Sequence, residues 1–291
     1  MWRGLIVLCL AAILLGGCTR APVIDTRYSS QNHDSRVQYV ILHYTSSDFD
    51  RALQHLTVGQ VSSHYLIDTQ PTIYRLVDED RRAWHAGESS WQGRTWLNGS
   101  SIGIEIVHPG YTDGPAGRYW HPWSEAQIDV LIPLLKDILR RHGLGPEHVL
   151  GHSDVAPQRK VDPGPLFPWQ RLAEAGVAVW PEAERVADNL RRLEGQTPPM
   201  AWFEEGLQQL GFSLQGAADQ VVVSRNVLAA FQMRFRPSRF DGQPDVESAA
   251  ILAALVPDLL NSALLCKSAE NPSMPRSGAQ WPHCTPDQPA W

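Results

Sequence analysis

"VQYVILHYT", residues 37–45, is a short run of apolar and β-branched residues, the composition of a buried strand. It ends at His43, where side chains begin to leave the core. Working outward, "SSHYLID" and "TIYRLV" are two further strand candidates, divided by "TQP", a hairpin-like break. "SIGIEIVHPG" is another; it sets Ile102, Ile104 and Ile106 on one face, so Glu105 points to the other with Gly103 and Val107. "HVLGH" reads as a short strand that delivers His152 at its end.

The clearest helix is "WSEAQIDVLIPLLKDILRRHGLG". Apolar residues recur at Ile128, Leu131, Ile132, Leu135, Ile138 and Leu139. Ser124 and Gln127 are spaced for a capping box, Gly143 supplies the stop, and Pro133 should kink the helix. "PWQRLAEAG" fits one or two helical turns. "RRLEGQTPPM" reads as a linker, and three short helical patterns follow it: "AWFEEGLQQLGF", "SRNVLAAFQMRF" and "DVESAAILAALV". The expected organisation is a segment 1–17 that is removed, a tether 18–36, a catalytic domain 37–190, a linker 191–199, a helical module 200–262 and a Pro-rich tail 263–291.

The two ends and the composition narrow the setting. The 291 residues are 43% hydrophobic and 19% charged, as in a folded globular protein. A net charge of −6 leaves no nucleic-acid footprint. "MWRGLIVLCLAAILLGGC" has one positive charge, a short apolar run and small residues, which is a secretory signal too short to span a bilayer comfortably. Its ending resembles a bacterial lipoprotein box, which implies a lipid on Cys18; ordinary secretory cleavage near Gly17 is the other reading. Thr19, rather than Asp, after Cys18 resembles Gram-negative lipoproteins sorted to the outer membrane, so the expected place is that membrane, facing the periplasm. Cys266 and Cys284 remain as an even pair in an oxidising compartment, where they would form a disulfide or stay as two thiols.

The chemistry lies in "GHSDVAPQRKVDPG", residues 151–164, a polar loop stiffened by Pro157, Pro163 and Gly164. His43, His152 and Asp162 make a two-nitrogen, one-oxygen set that would leave a fourth zinc position for water. By spacing alone this signal is weak: the chain has 11 His, and most surface His are only surface residues. Asp154 is at this point an equal candidate ligand. Glu105 is either a salt-bridge partner or a general base, and Lys160 either an oxyanion donor or a solvated side chain.

"VILHYT", "SSHYLID", "WHAG", "NGSSIGIEIVHPG" and "GHSDVAPQRKVDPG", in this order, resemble the zinc-dependent N-acetylmuramoyl-L-alanine amidases of the amidase_2 type, over about residues 37–180. The resemblance implies an α+β fold, a central mixed β-sheet flanked by helices and followed by a small all-α three-helix module. It implies one zinc ion on His43, His152 and Asp162, with Glu105 catalytic and Lys160 assisting. Asp154 then becomes a loop-stabilising hydrogen-bond acceptor. His64, Trp84, His85 and Asn98 fall in blocks that shape the family's cleft and are expected at the substrate, although His64 equally fits core structure and Trp84 and His85 could be packed residues. Phe231, Gln232, Phe235, Arg236 and Asp241–Gly242 resemble a peptidoglycan-binding three-helix domain. The expected partners are peptidoglycan and its muropeptides, and a membrane through the lipid; nucleic acid is not expected, and the chain is expected to act as a monomer. The implied activity is hydrolysis of the amide between the lactyl group of N-acetylmuramic acid and L-alanine. Its rivals are a non-catalytic peptidoglycan receptor of the same fold and a metallopeptidase acting on stem peptides.

Overall fold

The computed structural model describes residues 24–115 and 117–260. Cys18, the signal segment, and Cys266 with Cys284 lie outside the described residues. Two compact units divide the chain, one up to Asp34 and one from Ser35. Residues 24–34 of the first carry no helix or strand.

A five-stranded sheet forms the centre of the second. Strands β1 (Tyr39–Tyr44), β2 (Tyr65–Ile67), β3 (Ile73–Arg75), β6 (Ser101–Ile106) and β9 (Val149–Gly151) lie in the order β3-β2-β6-β1-β9. Only β3 runs antiparallel to its neighbour, so the sheet is mixed, as the family resemblance implies. Two small hairpins stand outside it: β4 (Ser90–Trp91) with β5 (Arg94–Thr95), and β7 (Tyr111–Gly114) with β8 (Gly117–Trp120).

Helix α1 (Phe49–Thr57) follows β1 and starts at Asp48, whose carboxylate accepts from the Arg51 N–H at 2.9 Å. Helix α2 (Glu125–His142) covers one sheet face. Its buried Ile128, Leu131, Leu135 and Ile138 share an apolar cluster with Val40, Leu42, Ile102, Ile104 and Ile106. Gly143 ends it at φ 67°, as expected. The capping box does not form. Gln127 is buried, and its amide donates to Val107 O at 2.8 Å and Asp68 O at 3.2 Å, carbonyls just past the ends of two strands. A buried carbonyl without a partner costs more than a missing cap, so the sheet takes the side chain. Pro133 is exposed, and the helix runs through it from 125 to 142.

The other sheet face is covered by the C-terminal helices. After a one-turn α3 (His152–Val155) and α4 (Trp169–Glu174) come α5 (Ala183–Leu193), α6 (Met200–Leu210), α7 (Gln220–Phe235) and α8 (Val246–Leu255). Tyr39, Ile41 and Leu150 of the sheet belong to one apolar cluster with Phe203, Leu207, Val227, Phe231 and Leu252 of these helices. Fully burying each such Phe or Leu contributes roughly 1.5–3 kcal/mol. The expected linker at 191–199 is corrected at its start: residues 191–193 complete α5, whose buried Leu193 joins that cluster and whose Asn189 amide donates to Ala250 O at 3.1 Å. The expected three-helix module at 200–262 is α6, α7 and α8, and α5 packs against it from before the linker. With five charged residues among eleven, α5 presents Val186, Asn189 and Leu193 to the module, and a stripe that thin is easily missed.

Candidate metal centre and active site

Strands β6, β1 and β9 run parallel and end together. His43 pairs with Glu105 across β1 and β6, and Leu42 pairs with Gly151, the residue before His152. Paired residues of neighbouring strands point to the same face. Glu105, His43 and His152 thus form a row at the carboxyl ends of three strands, the place where open α/β sheets bind ligands. Asp162 returns to this row because the loop closes on itself, Ser153 N–H donating to Asp162 O at 2.8 Å.

The three candidate ligands converge. His43 Nδ1 lies 2.9 Å from His152 Nδ1 and 3.2 Å from Asp162 Oδ2, and His152 Nδ1 lies 3.0 Å from the same oxygen. All three residues are buried. Hydrogen bonds on the far side assign the ring protons. His152 Nε2 faces the Ala86 carbonyl at 3.2 Å, which can only accept, so Nδ1 is left with its lone pair. Ser101 Oγ–H donates to Leu97 O at 2.7 Å and must therefore accept from His85 Nε2–H, 3.2 Å away. His85 Nδ1 is then free to accept from His43 Nε2–H at 3.0 Å, which leaves His43 Nδ1 bare as well. Two bare imidazole nitrogens and a carboxylate oxygen meeting at one point are a donor set for a divalent metal, with outer partners that fix each ring.

Electrostatics agree with that assignment. Burial pushes the His43 imidazole down to about 4, helped by His152 and Lys160 and opposed by Asp162. Burial alone would raise the Asp162 carboxyl, but His152 and His43 hold it well below the usual range. Glu105 goes the other way: burial pushes it up to about 8, the Asp162 charge adds to this, and Lys160 opposes it. Its Oε2 is buried with no hydrogen-bond partner.

Glu105, Lys160 and the three candidate ligands line one open cavity of about 350 Å³. Trp84 and His85 also line it, Trp84 at the rim with the Arg82 guanidinium 5.3 Å above its ring. His85 is a ligand support as much as a wall. Gly103 makes room for it, since a Cβ there would overlap the His85 ring. Two expected substrate residues do not reach the cavity. His64 is fully buried behind the sheet edge, its Nδ1 accepting from Gly103 N–H at 3.0 Å and its Nε2 donating to Arg81 O at 3.2 Å. Asn98 is buried too, and its Oδ1 accepts from the His85 and Ala86 N–H groups at 3.0 and 2.7 Å. Both shape the "WHAG" loop from behind.

Sequence reasoning passed over Tyr111 and Arg159, which line the same cavity. Tyr111 comes from the β7–β8 hairpin, with the Arg118 guanidinium 3.6 Å over its ring. Arg159 donates to Ala86 O and, at 2.6 Å, to Glu88 O, and so braces the carbonyl that orients His152. Its place beside Lys160 in the polar loop was the available signal. Asp154 is no ligand: its Oδ2 accepts from Gly151 N–H at 2.7 Å and pairs with Arg234. In the helical module, Phe231, Gln232, Phe235, Arg236 and Gly242 are buried. Gln232 bonds Gln243 O at 2.9 Å and Gly242 N–H at 2.8 Å, and Arg236 bonds Ser248 Oγ at 3.0 Å. The residues that carry that module's resemblance hold its fold together.

Known proteins match this chain in sequence and in shape. The profile of the Amidase_2 family, N-acetylmuramoyl-L-alanine amidase, matches residues 33–165. The N-acetylmuramoyl-L-alanine amidase AmiD of Escherichia coli (strain K12) is 43% identical over 262 residues, covering 84% of this chain and 95% of its own. The 1,6-anhydro-N-acetylmuramyl-L-alanine amidase AmpD of Enterobacter cloacae is 37% identical over 124 residues, 43% of this chain and 60% of its own. Among solved structures, the E. coli AmiD complex with anhydro-N-acetylmuramic acid-L-Ala-D-gamma-Glu-L-Lys superposes with a TM-score of 0.75 at 44% identity, over 81% of this chain and 94% of that one. AmpDh3 from Pseudomonas aeruginosa, in complex with an anhydromuramic pentapeptide, gives 0.75 at 38% identity, over 82% and 99%. With the E. coli relative similar over nearly its whole length and the fold shared, this chain belongs to the Amidase_2 family of N-acetylmuramoyl-L-alanine amidases.

Proposed function

We propose that this amidase cuts the bond between the lactyl carbonyl of N-acetylmuramic acid and L-alanine at a zinc centre formed by His43, His152 and Asp162. The observation that supports it is the row Glu105–His43–His152: three bare donors converge at one end of a cavity whose wall carries a carboxyl with an unpartnered oxygen. Zinc held there supplies Lewis acidity, acidifying water and polarising a carbonyl. Glu105 takes the proton as the water oxygen attacks the lactyl carbon, and passes it to the alanine nitrogen as the C–N bond breaks. Lys160 donates to the oxyanion of the tetrahedral intermediate. The exposed Trp84 face and Tyr111 form walls against which the sugar and the peptide lie.

Anhydromuramyl peptides are substrates on this reading, because the E. coli and P. aeruginosa relatives are seen with such compounds. Hydrolysis of a soluble anhydromuramyl tripeptide should stop when metal is chelated and return with zinc; hydrolysis that ignores the chelator would contradict the metal centre. We also place the enzyme at the outer membrane, facing the periplasm and held by lipid on Cys18, with residues 18–36 as its tether. Failure of Cys18 to take up labelled palmitate in cells would remove that placement. No helix among the described residues is long and apolar enough to cross a membrane.

A further inference from the structure

The loop that supplies His152 and Asp162 is gripped from the helical module. Asp154, one turn after the start of that loop, is buried, and besides the Gly151 N–H its Oδ2 binds the Arg234 guanidinium of α7. Arg234 is buried as well. It donates to Val149 O of β9 at 3.3 Å, and its guanidinium lies 4.0 Å over the Trp169 ring of α4. One side chain from the helical module therefore reaches the strand before the loop, the turn that opens it and the helix that follows it. A second grip lies further along the same loop, where Gln158 donates to Val223 O at 3.1 Å and accepts from Asn226 Nδ2 at 3.0 Å.

Apolar packing alone could join these surfaces. A buried ion pair contributes little net stability compared with well-packed apolar residues of similar size. This pair even leaves Asp154 Oδ1 and Arg234 Nε buried without partners. What it adds is direction. Asp154 bonds the N–H of Gly151, Ser153 N–H bonds Asp162 O, and His152 lies between them, so the orientation of Asp154 bears on both ends of the ligand loop.

We propose that the helical module is a positioning element of the metal centre, with Arg234 holding Asp154 and, through it, the His152–Asp162 loop in the geometry where the donors converge. Arg234 touches no reacting atom and is a positioning residue. The inference rests on the zinc reading only for its second readout.

The test compares full-length wild-type protein with Arg234→Met, Arg234→Lys and a control, Leu252→Ala, which loosens the core of the same module. In metal-free protein, Arg234→Met should speed amide hydrogen exchange across residues 151–164 about tenfold. It should weaken zinc affinity by about 10- to 100-fold, the usual effect of losing a group that orients a ligand. Arg234→Lys should recover part of both. Leu252→Ala should lower the melting temperature and change neither. Should Arg234→Met fail to fold, Arg234→Met with Asp154→Asn removes both charges and should show the same fast exchange. A loop that exchanges at the wild-type rate in the Arg234 variants, or one that loosens equally in Leu252→Ala, overturns the proposal. Wild-type protein that binds no zinc would instead contradict the metal reading, and the exchange of the metal-free loop would still decide this one.

Discussion

Asp162→Ala should lose the metal and the activity together. Changing a group that only orients a ligand costs about 10–100-fold in metal affinity, so removing a ligand should cost more than that. Metal analysis should fall from about one zinc per chain to near none, and amide hydrolysis should fall to background. The fold should survive. His43 is held neutral by burial, and both imidazoles keep their outer hydrogen bonds, His43 to His85 and His152 to Ala86 O. Removing the carboxylate therefore does not leave His43 as a stranded buried charge. Circular dichroism should match wild type. Full zinc content with full activity in Asp162→Ala would mean that the three converging donors are not the centre.

Glu105→Gln should separate what Asp162→Ala loses together. The variant keeps all three donors and should bind zinc as wild type does, while turnover falls by about 10²–10⁴, the range for losing a positioned acid–base group. The raised carboxyl adds a second signature. The Glu105 group titrates near 4.5 in the unfolded chain and at about 8 in the metal-free fold. Between those values the folded protein holds a proton that the unfolded chain has released. The resulting contribution is fully present below about 4.5 and is lost as pH rises through 8. From pH 5 to pH 8.5 metal-free wild type should therefore lose melting temperature relative to Glu105→Gln, which cannot ionise; the buried His43, held down to about 4, pushes the other way in both proteins. A bound dication would favour the carboxylate, so zinc should pull the wild-type titration down. A Glu105→Gln enzyme working near the wild-type rate would end its assignment as the base.

How far the sequence could be read depended on whether a signal was local. The five strands were legible because Ile102, Ile104 and Ile106 alternate and because "VILHY" and "HVLGH" are apolar up to their last residues. The row of Glu105, His43 and His152 follows once those strands lie side by side, which is how the polar ends of separate segments come to share one site. Gln127 shows the opposite case: its spacing from Ser124 fits a capping box, but two carbonyls 59 and 20 residues back in the chain claim its amide. His64 and Asn98 were placed at the cleft by the blocks they sit in, whereas the sheet buries both behind the loop that carries His85. The tautomer chain through Ser101 and the Arg234–Asp154 pair join residues far apart in the chain, and no motif announces either.

The most direct test of the central claim is digestion of purified cell-wall sacculi, with and without a metal chelator, followed by identification of the products by mass. The account predicts free stem peptides that begin with L-alanine, released only by the metal-loaded enzyme, and glycan strands left intact. Shortened peptides still attached to the sugar, or no release at all, would contradict it.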